Sequence, residues 1–72
     1  MFTKGDICIV NQEANNLLSG IYRSLIGKQV MITSEDVYIN KYPVRVINPN
    51  KENPWESSEQ LYIRADCLTK EG

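Results

Sequence analysis

The stretch "LYIRADCL", residues 61 to 68, puts Leu61 and Ile63 on one side of an extended chain and Tyr62 and Arg64 on the other. Alternation at a period of two marks a half-buried strand. "ADCL" then reads as a tight helical turn closing on a cysteine and a leucine, and "TKEG" follows as a short tail placed to pair as a last strand. A strand that ends in a turn and a tail needs a sheet to close.

The rest of the chain supplies that sheet. Gly5-Asp6 leads into "ICIV", residues 7 to 10, whose β-branched and cysteine side chains alternate as a first strand. The segment from Gln12 to Leu25 is rich in Asn, Ser and Gly, yet Leu17, Leu18, Ile21, Tyr22 and Leu25 recur at helix-like intervals. Gly20 and the Asn15-Asn16 pair argue against a long helix, so a single helical turn inside a long excursion is expected. Gly27-Lys28 introduces "QVMITS", with Val30 and Ile32 inward, and a turn signal at Ser34 to Asp36 precedes "YPVRVIN", residues 42 to 48. Pro43 has no N–H for a ladder and is expected at the start of its strand or on an edge. Residues 49 to 60 carry two prolines and Trp55 in an otherwise polar loop.

Four or five short strands in 72 residues cannot lie flat with one face uncovered. A small, partly open barrel is the economical solution, so the chain is expected to be one all-β domain over residues 1 to 72. An apolar content of 42% suits a compact globule, and a net charge of -1 offers no generic attraction for polyanions. No apolar run approaches the roughly 20 residues that span a bilayer, and a cytoplasmic protein without a membrane partner is expected.

The segments "FTKGDICIV", "LIGKQVMI", "YPVRVI" and "LYIRADCL" together resemble the small SH3-like barrel group, spanning nearly the whole chain. KOW-type domains, PsaE-like photosystem subunits and prophage YorP-like proteins are similar in size and element order. Gln29 and Val30 stand where the KOW pattern carries a second glycine. The resemblance implies an SH3-like barrel of about five strands with a short helical turn, Cys8 and Val10 facing inward, and Leu68 plugging the barrel end with Cys67 beside it.

The chemistry available is narrow. The chain has no histidine, which removes the ordinary Ser-His and Cys-His nucleophile pairs. Cys8 and Cys67 are too few for a zinc site and read first as buried packing thiols; a bridge, an intermolecular contact or a reactive thiol are the alternatives. Glu35, Asp36, Glu52, Glu56 and Glu59 lie in polar turn segments and are expected to be solvated. No catalytic residue, metal or cofactor is expected.

Binding is therefore the expected activity, through contacts with a larger protein, as a small accessory subunit or a phage-type modulator docking on a host protein. Trp55, as a rigid anchor, with Tyr22, Tyr42 and the acidic loop residues Glu52, Glu56 and Glu59, are the expected contacts. Tyr22, Tyr38, Tyr42 and Tyr62 could also form an aromatic groove of the kind that receives proline-rich ligands. The second reading is nucleic-acid binding on the barrel face, with Lys28, Arg45 and Arg64 on phosphates and Tyr62 under a base.

Overall fold

A computed structural model describes residues 2 to 16, 20 to 57 and 61 to 71, with only the backbone described at Ile21, Trp55 and Ser57. Five strands form one antiparallel sheet: β1 (Ile7–Val10), β2 (Gln29–Ile32), β3 (Lys41–Val46), β4 (Leu61–Arg64) and β5 (Leu68–Lys70). Their order across the sheet is β4-β3-β2-β1-β5. The expected all-β, partly open architecture is therefore met, with the alternating segments forming strands close to where their periodicity places them.

Connectivity makes this sheet curl. β4 and β5 occupy opposite edges, yet only the 3-10 turn Ala65–Cys67 separates them in sequence. A flat five-stranded sheet would be about 19 Å across at the usual strand spacing, whereas so short a turn reaches about 8 Å. The two edges must bend toward each other for the chain to pass between them. Ile63 of β4 and Leu68 of β5 accordingly enter the same core as Cys8, Val30, Ile32 and Val44.

Inward positions follow the expected alternation: Cys8 and Val10, Val30 and Ile32, Val44 and Val46 are all buried. β3 has a third apolar inward residue, Tyr42, only 6% exposed and set edge-to-face against Phe2 with ring centroids 5.2 Å apart. Tyr42 thus belongs to the core and not to a surface groove, because its position two before Val44 keeps it on the inner face.

Pro43 departs from its expected place. It is the third residue of β3, and β3 lies between β2 and β4, inside the sheet. The Thr33 N–H donates to the Pro43 carbonyl at 3.0 Å, so Pro43 turns its backbone toward β2. In an antiparallel pair a residue's nitrogen and oxygen address the same neighbour. The missing donor therefore falls opposite Thr33, one position beyond the last β2–β3 pair, Ile32 with Val44, where β2 has ended.

The excursion between β1 and β2 contains two short helical pieces where one was expected: a 3-10 turn at Gln12–Asn16 and helix α1 at Gly20–Arg23. Gly20 opens α1, a position where glycine is tolerated far better than in a helix interior. Ala14 and Leu25 anchor the excursion in the core, while Leu17 and Leu18 and the Ile21 side chain lie outside the described residues. Gly27, at φ +88°, returns the chain to β2 and donates to the Val10 carbonyl at 2.8 Å. A side chain there would be strained by the backbone conformation alone.

Candidate functional site

The segment "SEDVYINK", residues 34 to 41, builds an arm that leaves the sheet where β2 stops. Ser34 Oγ accepts the Asp36 N–H at 3.1 Å, turning the chain at its base. Farther out, Tyr38 and Lys41 exchange two backbone hydrogen bonds of 2.9 Å and enclose Ile39-Asn40 as a two-residue loop. Both loop residues have positive φ, 48° and 63°, as a type I′ turn requires. Asparagine tolerates that region; a β-branched isoleucine does not, and pays about 1–3 kcal/mol for it. Ile39 is nevertheless 73% exposed, so no described core contact compensates the strain.

Val37 and Tyr38 are exposed beside it. The arm forms one wall of an open groove of about 640 Å³ lined by Tyr22, Asp36, Val37, Tyr38, Lys41 and Tyr62. Tyr22 reaches it from α1, a helix fixed by Leu25 beneath it, and Tyr62 from the outer face of β4. No hydroxyl of Tyr22, Tyr38 or Tyr62 bonds to another described residue. Three phenols with free polar ends thus surround an apolar opening.

Two charges line the same groove. Lys41 and Asp36 make no ion pair with each other, and neither is paired with another described residue. Arg64 stands opposite Lys41 in the β3–β4 register, but its guanidinium is engaged with Asp66 at 2.6 Å.

The loop between β3 and β4 reverses the expectation for Glu56. Its side chain is fully covered, and it accepts from Lys28 Nζ at 2.7 Å, Asn53 Nδ2 at 2.9 Å and the Asn50 N–H at 3.2 Å. These bonds, those from Lys28 and Asn53 foremost, hold its carboxyl below the ordinary range. Glu56 is a structural pin between the start of β2 and the distal loop, not a solvated contact. It could have been read from "NPWE": an Asn before a Pro, with Glu three residues on, has the residue types of a capped first turn.

The remaining sequence-derived contacts are scattered. Glu52 is exposed, its N–H bonded to Asn50 Oδ1 at 2.9 Å. Trp55 lies in the 3-10 turn Pro54–Ser57 with its side chain outside the described residues, as is all of Glu59. Lys28, expected to meet phosphate, is committed to Glu56. Arg45 is exposed opposite Met31 in the register, and Arg64 lies at the far end of β3 from Lys28, roughly 20 Å along the strand direction. Lys28, Arg45 and Arg64 therefore do not form one cluster. Asp36, expected as a solvated turn carboxylate, lines the groove together with Val37 and Lys41; the signal for Val37 was the apolar run "VYI" inside a polar turn.

Cys8 and Cys67 are both buried and unbridged. The Asn11 N–H donates to the Cys67 carbonyl, which places Cys67 three residues along β1 from Cys8. That is about 10 Å, beyond the roughly 7 Å that a disulfide allows between Cα atoms. Burial raises both thiols above their ordinary value, with the Asp66 carboxylate adding to the rise at Cys67 and Asp6 at Cys8. Among the described residues there is no group of three or more metal-ligating side chains, and no helix long and apolar enough to cross a membrane.

Comparison with protein-family models, with curated proteins and with solved structures yields no match to this chain.

Proposed function

We propose that the protein is a small, non-catalytic binding module of SH3-like type, and that its recognition surface is the groove lined by Tyr22, Tyr38 and Tyr62. The strand order, with a 3-10 turn joining the edge strands, supports the SH3-like reading. Its occupant is an extended segment of a larger partner protein in the cytoplasm, where two unbridged thiols are stable.

The observation that carries this is the strained, exposed Ile39 on the arm that walls a groove lined by three tyrosines, whose hydroxyls bond no other described residue. Strain in an exposed apolar residue is retained where a partner uses it. An extended peptide leaves its own carbonyls unbonded and matches phenol donors spaced along an apolar groove. Catalysis has little support: the chain has no histidine, and both thiols are shielded in their unreactive protonated form.

The nucleic-acid reading loses Lys28 to Glu56 and much of Arg64 to Asp66, which leaves Arg45 and Lys41 as the cations of that face.

Selection of random displayed peptides on the immobilised protein tests the proposal. Peptides are expected to enrich and to lose binding to Tyr38→Ala and Tyr62→Ala, both surface changes that leave the core intact. No enrichment, or peptides that bind both variants as well as the parent, overturns it.

A further inference from the structure

We infer that the groove selects a segment of mixed charge: an acidic side chain for Lys41 and a basic one for Asp36, flanking an apolar residue held among the tyrosines. This rests on the groove reading above and adds the chemistry of the ligand to it.

The argument is charge complementarity. Lys41 and Asp36 line one groove with opposite charges, yet stand farther apart than the 4.0 Å limit of an ion pair. Their neighbours do not neutralise them. Arg64, across the ladder from Lys41, is paired with Asp66 at 2.6 Å, so that carboxylate is taken and Lys41 is left without an acidic partner among the described residues. An incoming carboxylate supplies one. On the other wall, Asp36 has its backbone N–H tied to Ser34 while its carboxylate stays exposed and unpaired among the described residues.

Asp36 also discriminates between classes of partner. A nucleic-acid strand brings only negative charge along its backbone, so its approach to Lys41 carries phosphate past Asp36. A peptide with both signs satisfies each charge and meets no repulsion. The two residues therefore act as attraction and exclusion on the same groove.

The same peptide selection, repeated on Lys41→Glu and Asp36→Lys, tests this. Both sites are exposed, so folding is unaffected and is checked by circular dichroism. Peptides selected on the parent protein are expected to carry acid and base together; the acid preference disappears on Lys41→Glu and the base preference on Asp36→Lys. For one selected peptide, each reversal weakens binding about fivefold, the scale of exposed charge pairs turned from attraction to repulsion. The double reversal restores binding to a peptide with acid and base exchanged.

Peptides that need Tyr38 and Tyr62 but show no charge preference overturn this inference and leave the groove reading standing. A fluorescent single-stranded oligonucleotide that binds the parent protein and binds Asp36→Lys more tightly, with no selected peptide competing, overturns both.

Discussion

Lys28 Nζ lies 2.7 Å from Glu56 Oε1, joining the entry of β2 to the loop between β3 and β4 across 28 positions of sequence. The two partners are not equivalent. Glu56 is fully covered and serves three donors, whereas the Lys28 side chain is one-third exposed and water can replace its partner. Glu56→Ala is therefore expected to lower the melting temperature by several degrees, and Lys28→Ala by clearly less. Thermal melts of the two variants at neutral pH check the order.

The same carboxylate makes stability depend on pH. Its folded pKa is depressed, so its contribution is present above the unfolded carboxylate value and is lost as pH falls through the folded one. Asp6, lowered chiefly by the Thr3 N–H with help from Lys70, acts in the same direction. The parent protein is expected to lose stability on acidification below the ordinary carboxylate range, and Glu56→Gln to lose less. Melting curves at descending pH that stay parallel for the two proteins contradict the assignment.

Ile39→Asn should stabilise the protein. Asparagine accepts the positive φ of the turn that isoleucine resists, and the gain is about 1 kcal/mol, or roughly 4–8 °C in a domain of this size. Peptide binding should weaken in the same variant, since the exposed side chain is lost from the arm. A stabilised variant with undiminished binding removes Ile39 from the recognition surface.

Both cysteines should resist modification in the folded state. Burial and raised thiol pKa values predict that two thiols react slowly with a soluble disulfide reagent at mildly alkaline pH, and rapidly once the protein is unfolded. Rapid reaction of either thiol under native conditions would show access that the fold denies.

Strands were legible because their register follows local alternation: Val30, Ile32 and Ile63 are buried where a period of two puts them. Glu56 was misplaced because it owes its position to Lys28, a partner distant in sequence about which periodicity carries no information. Tyr42 was legible by the same alternation, two before Val44, and a tyrosine at a strand's start suggests a contact in spite of it. Pro43 was misjudged because its cost depends on which neighbour its nitrogen addresses, a property of sheet order and not of the strand. The groove was half legible, as a set of tyrosines, but which of them converge depends on the path of the arm after β2.

The pairing of β1 with β5 sets when this domain can form. Cys8 stands opposite Lys70, so β1 finds one of its two neighbours only once the chain has been made about 60 residues beyond it. Contacts of such long sequence separation fold slowly and late. During synthesis, β1 to β4 emerge with the β1 edge still bare, and an exposed edge invites pairing with other chains. β5 thus decides whether a nascent chain matures or aggregates: replacing Leu68 and Thr69 by proline should deplete folded protein in the cell more severely than the small share of the core in β5 suggests.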